Sequence, residues 1–420
     1  MNSREFEGKL ERYAELAIRV GSNLQPGQRL LITNLSSGGV VLETAPLVRQ
    51  LAAAAYRAGA RFVDVLWADE PLRLIRFERA PRDSFEEYPG WQVAASLEYI
   101  ERGDAVLSLK ADDPDLLRRQ DSALVGLARK VAWQKLAPVL EHIERNATNW
   151  VVIAAATPAW AARIFPEVPP AEQVDRLWEN IFAICRVNAT DPVAAWKAHV
   201  ANLSARRDYL DGKGYCALRF TGPGTDLTVG LPKGHLWNSA GMPSQQGIEF
   251  IANLPTEEVF TLGDRGRAEG TVTASRPLSY GGTVIEDFAL TFAKGRAVGA
   301  TAARGEGLLH SLIDTDDGAG RLGEVALVPH SSPISQTGRL FLNTLIDENA
   351  ASHLAFGSAY RFSLPGGGNL SEEAFTAAGG NTSLVHVDFM IGSGELDVDG
   401  ITEVDAVEPV MRGGEWAFAV

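Results

Sequence analysis

Between Arg339 and Gly394 the chain places Asp347, Glu348, Asn349, His353, Tyr360, His386 and Asp388. Two imidazoles, several carboxylates and a phenol so close together are the ingredients of metal-assisted or acid–base chemistry. The last pair sits in Val385-His386-Val387-Asp388-Phe389-Met390, an apolar, β-branched run that predicts a strand. Residues two apart on a strand face the same side, so His386 and Asp388 project together. A buried carboxylate beside an imidazole is costly unless compensated, and a divalent ion commonly compensates that pair of ligand types.

Further carboxylates stand earlier in the same half of the chain. Glu257 and Glu258 occur in Asn253-Leu254-Pro255-Thr256-Glu257-Glu258-Val259-Phe260, which also reads as a solvated helix start capped by Thr256. Glu324 precedes an apolar run, with Gly323 permitting close backbone approach, although such a Glu is commonly an exposed strand end. A helix is expected from Arg339 to Phe356. On it Asn349 and His353 share a face, whereas Glu348 and His353 lie roughly 140° apart. Hence either the helix begins near Ala350 or Glu348 and His353 serve different ions. No His-Glu-x-x-His pattern occurs, nor a Gly-x-Ser-x-Gly elbow for a serine nucleophile. His142, His199, His310 and His330 read as surface, helix or loop residues; His235 is a loop residue that lines a cleft at most.

The totals bound the answer. The 420 residues exceed one ordinary core, so two domains are expected. Hydrophobic content of 45% and charged content of 22% are those of a globular protein. With 39 basic and 53 acidic residues the net charge is −14, which argues against nucleic acid or an anionic membrane surface as partner. Two cysteines, Cys185 and Cys216, exclude a disulfide framework and a cysteine-based zinc site. The opening residues lead into a charged helix without an apolar signal core, and no apolar run reaches the ~20 residues of a membrane span, so a cytoplasmic location is expected.

The elements that must position these residues fall into two textures. Residues 1–213 alternate helix and strand: helix Glu5 to Asn23, strand Gln28 to Thr33, helix Val41 to Ala58, then strands at Arg61 to Trp67, Asp104 to Leu109 and Trp150 to Ala156. That alternation predicts an α/β domain with a parallel sheet. The Asn34-to-Gly39 loop is small and polar, but no Gly-x-Gly-x-x-Gly follows the first strand, so a dinucleotide site is not supported. Glu172 to Asp211 reads as helical. Residues 214–420 turn to short alternating runs and Gly-rich turns, at Pro223-Gly224, Gly281-Gly282 and Pro365 to Gly368. This predicts a mixed, mainly β (α+β) catalytic domain.

Taken together, NLPTEEVF (253–260), DRGRAEGTV (264–272), GEVALV (323–328), TLIDENAASHLAFGSAY (344–360) and HVDFMIGS (386–393) resemble the M29 family of metallo-aminopeptidases. The resemblance implies a cytoplasmic homodimer that removes N-terminal residues from short peptides with a free N-terminus. It implies two divalent ions per chain, of Zn, Co, Mn or Mg type, held by Glu258, Glu324, Glu348, His353, His386 and Asp388. Glu257 is the alternative at the first position. Tyr360 matches the family's active-site tyrosine, and Glu324 or Glu348 the general base. The competing reading is a mononuclear Fe(II) ring-cleaving dioxygenase of related architecture, which needs only two His and one carboxylate. A purely structural metal cluster is a third reading, disfavoured by the surplus carboxylates and the tyrosine.

Overall fold

The computed structural model describes residues 3–280 and 283–420. The turn expected at Gly281-Gly282 lies outside the described residues. The chain divides into two compact units, Met1–His199 with Gly241–Pro255, and Val200–Ala240 with Thr256–Val420.

The first unit is α/β. Its five-stranded sheet is built from β1 (Arg29–Thr33), β2 (Phe62–Val65), β3 (Ala105–Lys110), β4 (Trp150–Ala154) and β5 (Asn253–Leu254), in the order β5-β4-β3-β1-β2. Each neighbouring pair is parallel. The run Leu30-Leu31-Ile32 is fully buried, as expected of a parallel strand covered on both faces. Some of its helices start at aspartate caps. Asp69 accepts the Leu72 N–H at the head of Glu70–Arg79, and Asp121 accepts the Ala123 N–H at the head of Ser122–Glu144. The two-residue strand β5 was not foreseen, because so short a pair carries no periodic signal.

The second unit is mixed and mainly β. Its nine-stranded sheet includes Ala217–Gly222, Thr225–Gly230, Ala268–Thr273, Thr283–Ala293 and Asp397–Ile401, paired antiparallel. A second, four-stranded sheet runs β6 (Val259–Thr261), β7 (Leu322–Leu327), β8 (His353–Gly357) and β9 (His386–Met390), in that order and antiparallel throughout. Between the two sheets lies an aromatic core. Phe356 and Phe389 have ring centroids 4.8 Å apart, and they meet Phe292 at 6.4 Å and Phe288 at 5.9 Å.

One expectation fails in a way that matters for the site. No helix runs from Arg339 to Phe356. Helix occupies Thr344–Asp347, a 3₁₀ turn follows over Glu348–Ala350, and His353–Gly357 is strand. The run His353-Leu354-Ala355-Phe356-Gly357 is buried on both faces, so it lacks the alternation that marks a half-exposed strand. Nor does Thr256 begin a helix, since the chain passes directly into β6.

Candidate metal centre

The four-stranded sheet turns one face to the aromatic core and gathers the polar residues on the other. Cross-strand pairing sets Gly357 against His386, then Glu324 against Ala355 against Asp388, then Phe260 against Ala326 against His353. Paired residues point to the same face, so Glu324, His353, His386 and Asp388 project together. Glu258 leads into β6 two positions before Phe260 and shares its side. Between the functional side chains the rows carry Ala326, Ala355 and Gly357, which leave room above the sheet. Glu348 arrives from outside the sheet, on the 3₁₀ turn before β8.

Distances define two overlapping groups. His353 Nε2 lies 3.3 Å from Glu258 Oε2 and 3.4 Å from Glu324 Oε1. His386 Nε2 lies 3.3 Å from Asp388 Oδ1 and 3.7 Å from Glu324 Oε2. In each group, Glu258–Glu324–His353 and Glu324–His386–Asp388, the potential ligand atoms all lie within 4.8 Å of one another. Glu324 presents one oxygen to each. Its residue exposure is 5%, against 8% for Glu258 and 1% for His353, so the expectation of an exposed strand end does not hold for Glu324.

Surrounding backbone orients the ligands. His353 Nδ1 lies 3.1 Å from the Ala351 carbonyl and His386 Nδ1 lies 2.7 Å from that of Ser358. A proton on each Nδ1 leaves Nε2 free to face the cluster. Gly323 and Gly357 permit this arrangement. A Cβ on Gly323 would run into the Gly357 and Ser358 carbonyls, and one on Gly357, whose φ is +91°, into that of Val385. Asn349 clamps two segments, accepting the Glu257 N–H at 2.7 Å and donating to Glu348 Oε1 at 3.4 Å. That bond ties down the Glu257 backbone, and it is Glu258 whose carboxylate reaches His353.

The electrostatics are those of a site short of positive charge. Burial raises the proton affinity of Glu324, opposed by its hydrogen bond with His353. Burial likewise holds Glu348 well above the usual carboxylate range, and the charges of Glu258 and Asp388 add to it. For His353 burial acts downward, but Glu258 and Glu324 outweigh it and the imidazole is raised. His386 is pushed up to about 10, burial being overcome by Asp388 and Glu324. Asp388 is lowered because His386 and His353 outweigh its burial. After burial, the charged groups that act on these five are one another and Glu258, with no lysine or arginine among them. Although His386 Nε2 is near, Asp388 Oδ1 is buried without a hydrogen-bond partner among the described residues. Leaving such an oxygen unpaired costs ~1–3 kcal/mol or more, and stripping water from an ion costs several kcal/mol. A divalent cation satisfies both demands, and an oxygen/nitrogen donor set without thiolate fits Zn, Co, Mn or Mg.

Tyr360 stands beside this group. Its ring centroid is 5.0 Å from that of His386. Burial, with Glu324 and Asp388, keeps its hydroxyl protonated well above the ordinary range. The structure thus brings together Glu258, Glu324, Glu348, His353, Tyr360, His386 and Asp388. Two neighbours escaped the sequence reading, Phe260 and Phe362. Phe362 stacks on Tyr360 at 5.1 Å with planes 14° apart, and Phe260 meets both rings edge-on. For Phe260 the signal was period two along the strand entry, Glu258 then Phe260; Phe362 lies in the 3₁₀ turn Arg361–Ser363 and carries no such signal.

Known proteins match nearly the whole chain. The family model described as thermophilic metalloprotease (M29) matches residues 6–416. Aminopeptidase 2 of Geobacillus stearothermophilus is 46% identical over 413 residues, 98% of each chain. Aminopeptidase T of Thermus thermophilus is 46% identical over 411 residues, 98% of this chain and 99% of its own. The solved structure of wild-type AmpT from Thermus thermophilus superposes with a TM-score of 0.92 at 45% identity, covering 98% of this chain and all of that one.

Proposed function

The chain belongs to the M29 metalloprotease family, and from that premise we propose that it is an aminopeptidase, releasing N-terminal residues from short unblocked peptides with two divalent ions. The observation that carries the reading is the shared face of the four-stranded sheet, where Glu324 offers one oxygen to His353 and the other to His386. Glu258, Glu324 and His353 would hold one ion, and Glu324, His386 and Asp388 the other. Four carboxylates match the four positive charges of two divalent ions. When bound, such ions polarise a scissile carbonyl and make water a competent nucleophile near neutral pH.

The chain's own residues supply the rest. Glu348 belongs to neither group of ligand atoms, yet the charges of Glu258, Glu324 and Asp388, which belong to them, act on its carboxylate. It takes the proton of the attacking water and returns it to the departing amine. Of the two carboxylates weighed for that task, Glu324 is committed to both groups, which leaves Glu348. Tyr360 keeps its proton and donates a hydrogen bond to the oxygen that becomes negative in the tetrahedral intermediate. Burial of the cluster excludes bulk water, so these dipoles act at low dielectric. The homodimer and the cytoplasmic location implied by the resemblance belong to the same proposal. Among the described residues no helix is long and apolar enough to cross a membrane.

The test uses purified protein stripped with chelator. Elemental analysis after reloading is expected to give two ions per chain. Free amino acid is expected from di- and tripeptides, and none from their N-acetylated forms. Chelator abolishes release, and Zn, Co or Mn restores it. Absence of hydrolysis of every unblocked peptide by the reloaded protein refutes the proposal. One iron per chain with oxygen consumption on a dihydroxypyridine would favour the ring-cleaving alternative instead.

A further inference from the structure

Beside the ligand cluster lies an apolar surface that the chemistry above does not use. Phe260 is paired into the row that ends on His353, so its ring rises from the same face as the ligands. Tyr360, stacked against Phe362 on one account and 5.0 Å from His386 on another, joins that ring system to the cluster. Phe362 meets Phe260 at 6.2 Å and remains half-buried. Backbone bonds fasten a further apolar residue to the same segment. The Leu236 N–H donates to the Ser363 carbonyl at 2.9 Å, and Asn238 Nδ2 donates to Ser363 Oγ at 2.9 Å. Leu236 is itself 38% exposed. Arg361, the charged residue of this turn, is drawn away: its guanidinium donates to the Leu370 carbonyl and lies over the Phe375 ring.

A core aromatic cluster would bury all its members. Here Phe260 is covered while Tyr360, Phe362 and Leu236 stay partly accessible, and Tyr360 joins Phe362 to the groups that would cleave the first peptide bond. In an exopeptidase the side chain nearest the scissile carbonyl is that of the N-terminal residue. We infer that Phe362, with Leu236 and Phe260, forms the wall that receives the N-terminal side chain of the substrate, and that it selects apolar and aromatic residues there. The inference rests on the aminopeptidase reading and adds the substrate class to it. Each buried methylene of a substrate in an apolar pocket is worth about 10-fold or more in specificity, and ring stacking on Phe362 adds to that for aromatic residues.

The experiment compares X-Ala dipeptides that differ only in X, on metal-loaded protein. For wild type, kcat/KM is expected to be roughly 10- to 100-fold higher with X = Phe or Leu than with X = Gly. Phe362→Ala is expected to lower the Phe and Leu values about 10-fold and to leave Gly within about threefold. Leu236→Asp, at a half-exposed position that tolerates change, is expected to lower Phe and Leu and to raise Lys. It carries the test should Phe362→Ala fail to fold. Calorimetric titration with L-phenylalanine and with glycine gives a readout independent of turnover, with L-phenylalanine the tighter and its advantage lost in the variants. A uniform loss across all X, or a wild type that favours Gly or charged residues, overturns the inference while leaving the aminopeptidase reading intact. Cleavage of no unblocked peptide at all counts against that reading, and equal binding of the two amino acids then overturns the inference as well.

Discussion

Two polar clusters in this molecule use similar residues and end differently. In the first unit, Lys110 at the end of β3 donates to Asn34 Oδ1 at 3.0 Å and to Ser36 Oγ at 2.6 Å. Asn34 donates in turn to Asp112 at 2.8 Å, and Ser37 donates to the same carboxylate. The cluster sits past the C-terminal ends of neighbouring parallel strands, where doubly wound sheets commonly bind ligands. Its cation is matched by an anion and its donors by acceptors, so it closes on itself. In the second unit, four carboxylates meet two imidazoles, and among the described residues Asp388 Oδ1 has no hydrogen-bond partner, His386 Nε2 lying 3.3 Å away. Uncompensated charge, rather than polarity, separates the candidate metal centre from a polar plug.

That contrast breaks most sharply at Glu324, which serves both ligand groups. Glu324→Gln is expected to lower kcat/KM by several kcal/mol, about 10³-fold, with loss of bound metal by elemental analysis. Added metal should raise the Tm of wild type, since a ligand of the folded state alone stabilises it, and should leave the variant's Tm unchanged. Retention of both metal and activity would remove Glu324 from the centre.

Tyr360 gives the next largest effect. Tyr360→Phe is expected to reduce kcat about 10²- to 10³-fold, with metal content and Tm unchanged. A fall in metal content would make the tyrosine structural instead.

The closed cluster responds in stability and not in rate. Lys110→Met leaves Asp112 without its cation and Ser36 Oγ without the ammonium donor, while Asn34 Oδ1 keeps only the Ser36 hydroxyl, at about 1–3 kcal/mol of unfolding free energy by denaturant titration. Peptidase activity at a temperature below the transition is expected to be unchanged. A large loss of activity with no loss of stability would show that the first unit's cluster is also functional.

The smallest effect concerns pH. Glu70 is raised to about 7, first by burial and then by the charges of Asp112, Asp113 and Glu43, against the Asp113 N–H that it accepts. A carboxylate whose folded pKa lies above its unfolded value favours the folded state below the unfolded pKa, and that contribution is lost as pH rises toward 7. Glu70→Gln keeps the acceptor and removes the charge. Its Tm relative to wild type is therefore expected to improve between pH 4.5 and 7 and to level off above. A difference that does not vary with pH would mean that Glu70 is not titrating there.

Much of the fold was legible because it follows local periodicity. The helix–strand alternation of the first unit and the strand at His386 to Met390 needed only patterns of two and 3.6 residues. What misled was burial on both sides. His353 to Gly357 shows no alternation, and its alanine and leucine suit a helix as well as a strand, so Glu348 and His353 were set on a helix that is not there. The difficulty of bringing both to one place then vanishes, because a 3₁₀ turn presents one and a strand the other.

The residue types of the candidate ligands and the acidic excess of the chain were determined by the sequence alone, since these are matters of composition and of side-chain chemistry. Only the tertiary structure decided which of them meet. Cross-strand register, set by partners up to 68 residues away, puts Ala355 between Glu324 and Asp388 and sets Phe260 on the same face as His353. A shift of one residue in any strand would send its side chains to the opposite face. The site therefore exists in the pairing of strands and not in any one segment of chain.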